Sequence, residues 1–430
     1  MKSFLNSSPK PKGTYDIVEQ ESEIFLKIRN IFFEYARKFN FSYIETPIFE
    51  YAEIFEKTSQ DSDVVTKELY KFLDKSNRQL ALRPEGTAPI MRAIWQHKLH
   101  QVEKKFFYFG PMFRYEKPQK GRFRQFYQAG FEITNYKPDS FSLQVLEVIL
   151  LVIKILENLK IQNYQLKINY LSNSQTREEY SKALSQYFEK YIDKLEAISK
   201  LRLRNNPLRI LDDKIESSKD FVKSAPKISD FWSIEDKQNF NSIISIFEKF
   251  KINYVVDYSL VRGLDYYDEF VFEFIDTDKI LGSKLTFAGG GCYNNLPQKF
   301  GMSNFKSIGV AFGIERLIEI FKSNSPTKLT NLDFYLIGFN QDEIFKNFEL
   351  AILLREQNFR VDLNKSPLSI KDGFQKAKKS GAKFAFFFEK DEQPGQISIK
   401  NLQTSINKVI SLLNIDFKFL RTIIDGETHV

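Results

Sequence analysis

The sequence predicts an α+β protein with a helical insertion and a smaller α/β domain at its carboxyl end. Three observations predict this class. Between residues 109 and 132, two alternating apolar runs meet at a charged loop, as in a β-hairpin. Residues from about 172 to 247 are charged, helix-forming and free of glycine, which indicates an inserted helical module. Residues 332–430 begin with strand and helix patterns that alternate as βαβαβ.

The strands and helices before the insertion follow from periodicity and turn residues. An amphipathic helix is predicted over residues 21–39, and an alternating strand follows that Pro47 interrupts, which suits a sheet edge or a bend. In "QLALRPEGT", Thr87 is expected to cap a helix that carries Pro89 in its first turn. A further strand, "YQLKINYL", leads into the insertion.

After the insertion, strand patterns return and then give way to a linker. The segments "INYVVDYSLVRGLDYYDEFVFEF" and "LTFAGGGCYNNL" indicate strands with polar turns, and "SIGVAFGIERLIEIF" runs from a strand into a helix. The polar stretch "FKSNSPTKLTN" has the composition of a linker. We therefore expect a first domain over 1–325, a linker at 326–331 and a last domain over 332–430.

Composition limits the class of protein. A chain of 430 residues with 42% hydrophobic content has ample material for a core and suggests two or three domains. The longest apolar run, "VLEVILLVIKILENL", contains three charged residues and predicts a buried helix, not a membrane span. The amino terminus lacks the apolar core of a signal peptide. We therefore expect a cytoplasmic protein without membrane contact.

The counts of cysteine and histidine restrict the chemistry. The chain has one cysteine, Cys292, and three histidines, which excludes disulfide frameworks and metal sites of several Cys and His ligands. The same small numbers leave few residues for nucleophilic catalysis by Ser–His or Cys–His pairs. No metal-ligating residues are predicted. The formal charge of +8 is compatible with a polyanionic partner, although an AT-rich genome would also favour such a composition.

The predicted hairpin carries a row of recognition groups on one face. Strand alternation separates the packing residues Phe123, Gln125, Tyr127, Ala129 and Phe131 from a second set on the other face. Gly130 in that second set is expected to leave room for something small on the sheet. The second set comprises Arg124, Phe126, Gln128, Gly130 and Glu132.

Arginines gather at the tip of the same hairpin. Arg114 ends the incoming strand, and Arg122 and Arg124 open the outgoing one. Guanidinium groups suit phosphate, because their planar donors match phosphate oxygens. The alternative is a solvated hairpin tip, but that does not explain why Gln128 and Glu132 continue the same face inward.

Three more segments offer polar groups beside glycines. "RPEGT" presents Glu85 next to a glycine, with a simple turn and cap as the alternative. "LVRGLDYY" brings Arg262 and two tyrosines into one turn, where the arginine could instead form a plain core ion pair. "GVAFGIERL" places Arg316 near a helix start. Neither G-x-G-x-x-G nor a P-loop occurs in the sequence.

Together these segments resemble the histidyl-tRNA synthetases, a family of class II aminoacyl-tRNA synthetases, over nearly the whole chain. "IETPIFEY" is similar to motif 1, the hairpin to motif 2, and "GVAFGIERL" to motif 3. All class II synthetases share these motifs in diffuse form. "RPEGT", "LVRGLDYY" and "GGGCYNNL" narrow the choice, because they resemble segments specific to the histidine enzymes.

The resemblance implies both an architecture and a reaction. The architecture is an antiparallel sheet flanked by helices, an insertion that helps to hold tRNA, and a carboxyl-terminal anticodon-binding domain. It also implies a homodimer assembled partly through motif 1. The reaction is ATP-dependent attachment of L-histidine to tRNA(His) through a histidyl-adenylate, with Mg²⁺ accompanying ATP and with AMP and pyrophosphate released.

The resemblance also assigns roles residue by residue. Arg114 is similar to the arginine on the ATP α-phosphate and Arg316 to the arginine on the terminal phosphate, with Arg122 beside them. Glu116 and Phe126 match residues around the adenine, and Arg262 matches the arginine beside the reacting carboxylate. The segment Glu85, Gly86 and Thr87 matches residues near the substrate amino group. The expected histidine pocket comprises Gln128, Glu132, Tyr266, Tyr267 and Tyr293.

One segment departs from the family pattern. The family usually has an arginine before the tyrosine of the glycine-rich segment and Asp-Gly after it. Here Cys292 precedes Tyr293, and Asn294 and Asn295 follow it. Strand alternation predicts that Cys292 faces away from the pocket and fills packing space.

Two other classes of protein compete with this interpretation. A catalytically inactive relative, such as the synthetase-like regulatory subunit of ATP phosphoribosyltransferase, typically lacks the anticodon domain and parts of the ATP site, which this chain keeps. A non-catalytic RNA-binding protein is suggested by the basic balance and by runs such as "KLRLRNN". A histidine-dependent pyrophosphate-exchange assay separates all three.

Overall fold

The computed structural model describes residues 10–59, 62–213, 215–282, 285–324, 332–389 and 393–425. The chain divides into two compact units, residues 1–326 and 327–430. The predicted linker at 326–331 and the carboxyl-terminal residues 426–430 lie outside the described residues.

The first unit mixes helices and strands along the chain. Its helices are α1 (Glu19–Lys38), α2 (Ala52–Thr58), α3 (Asp63–Thr66), α4 (Thr87–Gln96), α5 (Phe141–Asn158), α6 (Ser174–Glu189), α7 (Ala197–Asn205), α8 (Leu208–Leu211), α9 (Asp220–Lys223), α10 (Ile234–Lys249) and α11 (Ile314–Asn324). Its strands are β1 (Ser42–Tyr43), β2 (Phe49–Tyr51), β3 (Lys71–Leu73), β4 (Gln79–Leu82), β5 (Lys104–Phe113), β6 (Gln125–Tyr136), β7 (Tyr164–Tyr170), β8 (Val255–Val256), β9 (Asp268–Asp276), β10 (Thr286–Cys292) and β11 (Lys306–Gly313).

The main sheet of the first unit is largely antiparallel. Within the described residues its strand order is β1-β5-β6-β11-β10-β9-β7-β8, and only the short outer strands β1 and β8 pair in parallel. Aromatic rings cover one face, where Phe32 of α1 packs against Phe131 and Phe312. The α+β prediction, with helices against an antiparallel sheet, is confirmed.

The predicted hairpin is formed by β5 and β6, whose antiparallel register runs from Lys104 opposite Thr134 to Phe113 opposite Gln125. Phe131 packs in the core and Glu132 faces the other way, as alternation predicts. The predicted alternation was wrong for Phe123 and Arg124, because the strand β6 begins only at Gln125. Arg124 instead lies 4.0 Å above the Tyr115 ring.

Pro47 divides its segment between two sheets. Before it, β1 is the edge strand of the main sheet; after it, β2 joins a separate small sheet of order β2-β4-β3. The break falls at Pro47 because proline has no N–H group to continue a ladder. The prediction of an edge or a bend is confirmed.

The described residues of the helical insertion share a buried apolar core with the sheet unit. Apolar residues of α6 and α8, including Tyr180 and Ile210, share one buried cluster with Tyr266 and Tyr293. Helix α10 packs against α5, which is the predicted buried apolar helix. No helix in the described ranges is long and apolar enough to cross a membrane.

The second unit is a small α/β fold. Its described elements are β12 (Leu332–Ile337), α12 (Gln341–Glu356), β13 (Val361–Leu363), α13 (Ile370–Lys379), β14 (Ala382–Phe387), β15 (Gln396–Asn401), β16 (Asn407–Ser411) and α14 (Phe417–Asp425). The strands β13, β12 and β14 pair in parallel, which confirms the predicted βαβαβ order. The antiparallel strands β15 and β16 extend the sheet beyond that prediction.

Candidate active site

A cavity of about 850 Å³, counted with the solvent at its mouth, opens on the polar face of the main sheet. It collects residues from segments far apart in the chain: the loop before α4, the hairpin, the loop before β9, and β10, β11 and α11. The predicted site residues that line it are Glu85, Thr87, Arg114, Glu116, Arg122, Phe126, Gln128, Arg262, Tyr266, Tyr267 and Arg316. Gly86, Glu132 and Tyr293 lie outside this lining.

One end of the cavity is strongly positive. Arg114 donates from Nε to the Pro84 carbonyl at 2.8 Å and lies 5.2 Å above the Phe126 ring. Arg316 donates to the Thr286 carbonyl. Burial, followed by repulsion from Arg122 and Arg114, lowers the pKa of Arg316 to about 10. Grouped guanidinium groups of this kind are arranged to receive an anion.

Glu116 and Phe126 complete this end. The Glu116 carboxylate is buried and forms an ion pair with Arg122. The Phe126 ring lies between the arginine end of the cavity and Gln128 on the same strand face. An aromatic face beside a polar edge suits a planar heterocycle, because the ring stacks while polar groups bind its edge.

Arg262 is both ion-paired and part of the cavity wall. It pairs with Glu273 on β9 and lies 5.3 Å from the centre of the Tyr267 ring. A β-carbon at Gly289 would come within 2.5 Å of Nη1, so the missing side chain on β10 makes room for the guanidinium. Arg262 is therefore both a residue of the candidate site and a partner in a core ion pair, the two interpretations that the sequence left open.

Glu85, not Thr87, caps helix α4. The Glu85 carboxylate accepts from the backbone N–H groups of Thr87 at 2.6 Å and Ala88 at 2.9 Å. The helix begins at Thr87, one residue earlier than the predicted cap requires, so the threonine hydroxyl points elsewhere. The Tyr266 hydroxyl also donates to Glu85 at 3.2 Å. Burial raises the pKa of Glu85, although these hydrogen bonds oppose the shift.

Glu132 lies beneath the cavity floor in a buried hydrogen-bond network. Its carboxylate accepts from the Tyr293 hydroxyl at 2.6 Å and from the Thr87 hydroxyl at 2.7 Å. Burial raises the pKa of Glu132 to about 8. A β-carbon at Gly309 on the neighbouring strand would overlap this carboxylate, so glycine is required there. Through Glu132, the network connects Tyr293, which lies outside the cavity lining, to Thr87, which is part of that lining.

The prediction that Gly130 leaves room for a small molecule on the sheet was wrong. The space above Gly130 is filled by the Tyr108 ring of β5, which also covers Gly86. The Tyr108 hydroxyl donates to Gln128 Oε1 at 2.8 Å, and the Gly86 N–H donates to the same oxygen at 3.1 Å. The glycine therefore admits a protein side chain that orients Gln128. Cross-strand packing of this kind cannot be read from one strand alone.

The altered segment that begins at Cys292, the last residue of β10, has a structural role. Cys292 is fully buried, with Sγ 3.9 Å from the Tyr136 hydroxyl, which confirms that it faces packing space. The side chains of Asn294 and Asn295 donate to the Asp268 carboxylate at 2.9 Å and 3.0 Å. These amides hold the start of β9 against the end of β10 while Tyr293 contacts Glu132.

Several residues that line the cavity or contact its lining were not predicted from the sequence. Glu273 is a lone acidic residue within the apolar run "FVFEF", a signal that would have identified it. Glu315 accepts from the Tyr15 hydroxyl at 2.6 Å and the Tyr127 N–H at 2.7 Å, and burial raises its pKa to about 7. Tyr108 and Gly289 carry no distinguishing sequence signal, because their roles depend on neighbouring strands.

Comparison with known proteins agrees with this geometry. The sequence model of the family described as "Histidyl-tRNA synthetase" matches residues 13–317. A protein named histidine–tRNA ligase from Mesomycoplasma hyopneumoniae strain 7448 is 65% identical over 429 residues, which cover 100% of both chains. One of the same name from Mycoplasmopsis pulmonis is 44% identical over 94% of this chain and 96% of its own.

A solved structure shares the fold. The apo crystal structure of histidyl-tRNA synthetase from S. aureus superposes with a TM-score of 0.74 at 28% identity, covering 97% of this chain and 99% of the other. Sequence model, relatives and structure thus point to one family across nearly the entire length. The chain belongs to the histidyl-tRNA synthetase family.

Proposed function

We propose that this chain attaches L-histidine to tRNA(His) in two steps, through a histidyl-adenylate, with release of pyrophosphate and then AMP. The observation that carries the proposal is one cavity with a positive end, Arg114, Arg122 and Arg316, and a second polar end at Gln128 and the tyrosine pair. ATP fits the first end and an amino acid fits the second. Arg262 and Glu85 lie in the same wall.

The first step joins two anions, so the arginines have a clear task. The histidine carboxylate attacks the α-phosphorus of ATP, the bond from that phosphorus to the bridging oxygen breaks, and pyrophosphate leaves. We assign Arg262 to the carboxylate, Arg114 to the α-phosphate, and Arg316 with Arg122 to the departing phosphates. Charge stabilisation by one preorganised donor is commonly worth ~10²–10³ in rate. No protein nucleophile is required.

In the second step the terminal ribose hydroxyl of the tRNA attacks the carbonyl carbon of the mixed anhydride. The ester forms as the bond between the carbonyl carbon and the phosphate oxygen breaks, and AMP leaves with that oxygen. The same guanidinium groups neutralise the AMP phosphate as it departs. Glu116 and Phe126 are assigned to the adenine on their position at the arginine end of the cavity.

Histidine selection is assigned to the other end. Glu85 and Thr87 are proposed to meet the substrate amino group, with Gly86 fixing their turn. Gln128, Tyr266 and Tyr267 face the cavity, while Glu132 and Tyr293 support its floor. Imidazole has one donor and one acceptor when neutral, so analogues lacking them leave buried groups unpaired. Hydrogen-bonding pockets discriminate by ~10⁴–10⁵ without editing.

We propose that Mg²⁺ enters as the ATP complex. Among the described residues, no three His, Cys, Asp or Glu side chains are grouped as ligands for a metal ion. The carboxylates near the arginine end already have partners: Glu116 pairs with Arg122, and Glu315 accepts from Tyr15. Phosphate oxygens of ATP are therefore the natural ligands, and the ion would screen charge on them.

The remaining assignments concern partners and location. We propose a homodimer assembled partly through motif 1, because Phe49 and Tyr51 of that segment are exposed to solvent, as is Leu73 of the same small sheet. Light scattering of the purified protein tests this.

We propose that the domain over 332–430 binds the anticodon and that the insertion, about 172–247, helps to hold tRNA. The place of action is proposed to be the cytoplasm.

A pyrophosphate-exchange assay tests the proposed function. The purified protein is expected to exchange labelled pyrophosphate into ATP with L-histidine and not with other amino acids, and to charge tRNA(His). Exchange without histidine specificity, or none at all, would contradict the proposal. Histidine binding without exchange would instead indicate an inactive relative, and RNA binding alone an RNA-binding protein.

A further inference from the structure

The loop that carries Arg262, Tyr266 and Tyr267 is held from two sides. It is an irregular segment, residues 257–267, between β8 and β9. Its first half is fixed by the main sheet, because the Asn169 side chain on β7 donates to the carbonyl oxygens of Tyr258 and Leu260. Its second half, which bears the tyrosines, is fixed by side chains of the helical insertion.

Arg177 of α6 makes the closest of these contacts. Its Nη1 donates to the Tyr267 carbonyl oxygen at 2.6 Å. Arg177 is partly buried in a second cleft, which the loop lines on one side and residues of α6 and α8, including Arg209, line on the other. Removal from water lowers the pKa of Arg177, while the nearby carboxylates Asp268 and Asp265 oppose that shift. A guanidinium placed here fixes the backbone at Tyr267.

Arg209 of α8 holds the same loop two residues earlier. Its Nη2 lies 3.1 Å from Oδ1 of Asp265, and both side chains are largely buried. Between these two anchors stands Tyr266, whose hydroxyl donates to Glu85 in the cavity wall. Apolar side chains of the insertion, Tyr180 and Leu211, belong to the same buried cluster as Tyr266 and Tyr267.

We propose that Arg177 and Arg209 are positioning residues for the histidine-binding loop, so that the helical insertion forms part of the amino-acid site. The inference rests on the proposed function. Neither arginine lines the cavity, so each acts through the loop. Without them the backbone that carries the tyrosine pair loses both polar anchors to the insertion and keeps apolar packing and the Tyr266–Glu85 hydrogen bond. The loop is then less ordered, and ordering it when histidine binds costs conformational entropy.

The expected signature is a selective loss of histidine affinity. In pyrophosphate exchange, which needs no tRNA, Arg177→Met is expected to raise the KM for histidine about tenfold, the size of one lost charged hydrogen bond. The KM for ATP should stay within about twofold, because the arginine end belongs to other segments. Arg177→Lys should restore part of the affinity, since an ammonium still donates to a carbonyl.

A second pair keeps the test independent of one variant. Arg209→Met and Asp265→Asn are each expected to raise the KM for histidine, and the double variant no further than the larger single effect. The matched control is Arg202→Met, which breaks an ion pair of 2.7 Å between Arg202 and Asp213 inside the insertion. Both side chains of that pair are similarly buried. It should leave the KM for histidine unchanged.

Folding is monitored by tryptophan fluorescence, because Trp232 donates to the Tyr170 carbonyl beside the insertion. The proposal is overturned if folded Arg177→Met and Arg209→Met keep the wild-type KM for histidine, or if Arg202→Met raises it equally. It is also overturned if the KM for ATP rises in parallel. Absence of exchange in the wild-type protein would be a failure of the proposed function, a separate result.

Discussion

At the scale of single residues, Arg262 shows how a charged group is fixed before any substrate arrives. Its guanidinium forms an ion pair with Glu273, lies against the Tyr267 ring and occupies the space above Gly289. A fixed cation stabilises developing negative charge without reorganising during the reaction. Part of its interaction with Glu273 is structural, so loss of the side chain also leaves a carboxylate without its partner.

Replacing Arg262 by alanine is expected to abolish adenylate formation, with exchange reduced by at least ~10²-fold, because the charge of the transition state loses its counterion. Histidine binding should be weakened but measurable by calorimetry. Arg262→Lys should not restore exchange, since the planar fork is lost. A loss of exchange smaller than tenfold would remove Arg262 from the catalytic assignment.

Glu132 provides a test by pH. Its pKa in the folded protein is raised from 4.5 to about 8, so the folded state keeps a proton that the unfolded state releases. Stability from this group is complete below about pH 4.5 and is lost as the pH rises through about 8. Glu132→Gln removes the titration, so the free energy of unfolding should fall less steeply with pH in the variant.

The difference in slope is expected to be on the order of 1 kcal/mol per pH unit between about pH 5.5 and 7.5. Urea unfolding followed by tryptophan fluorescence measures it, because both tryptophans, Trp95 and Trp232, lie in the first unit. Other buried acids such as Glu315 and Asp268 titrate in both proteins and cancel in the comparison. Equal slopes would mean that Glu132 is ionised in the folded state.

At the scale of elements, the cavity is built where strands, loops and a helix end meet. β10 illustrates this, because two of its residues serve different neighbours: Gly289 makes room for Arg262, and Cys292 packs beside Tyr136. The next residue, Tyr293, reaches Glu132 from the opposite side. One short segment thus supports the sheet core and the floor of the site at once.

Paired substitutions at the end of β10 separate these two duties. Cys292→Ala is expected to cost ~1 kcal/mol of stability and to leave the KM for histidine unchanged, because a small buried thiol only packs. Tyr293→Phe should raise the KM for histidine, because Glu132 loses a hydrogen-bond donor. Steady-state exchange and urea unfolding give both quantities.

A thiol reagent offers an independent check on the same segment. Buried Cys292 should react slowly, and histidine with ATP should add little protection. Rapid modification that removes activity, with full protection by histidine, would show that the thiol faces the ligand. In that case the orientation of the segment would be reversed.

At the scale of the whole molecule, the candidate site lies within the first unit. Every residue that lines the cavity falls between Glu85 and Arg316, and the second unit begins at 327. The second unit has its own apolar core around Phe334, Leu350 and Leu420. Chemistry on small molecules and recognition of tRNA are therefore expected to be separable.

Deleting residues 331–430 tests this separation. The truncated protein is expected to keep part of its histidine-dependent exchange and to lose most aminoacylation, because the removed unit is proposed to bind the anticodon. Both activities are measured on the same preparation, with tryptophan fluorescence as the control for folding of the first unit. Unchanged charging of tRNA would contradict the assignment of the second unit.

Local sequence patterns were enough to predict several strands of this protein and the positive end of its candidate site. Alternation along β6 separated Phe131 from Glu132, Pro47 ended one strand, and the arginines of the hairpin indicated an anion site. Such features depend on a few neighbouring residues, whose backbone periodicity and side-chain chemistry are legible in order. The family motifs then joined these segments into one site.

Tertiary structure decided what fills each space. Tyr108 occupies the space above Gly130, and Glu132 lies beneath the cavity with Tyr293. The contact of Arg177 with Tyr267 joins residues 90 positions apart. Each of these facts depends on which strand or helix lies alongside, and spacing within one segment carries no information about that neighbour.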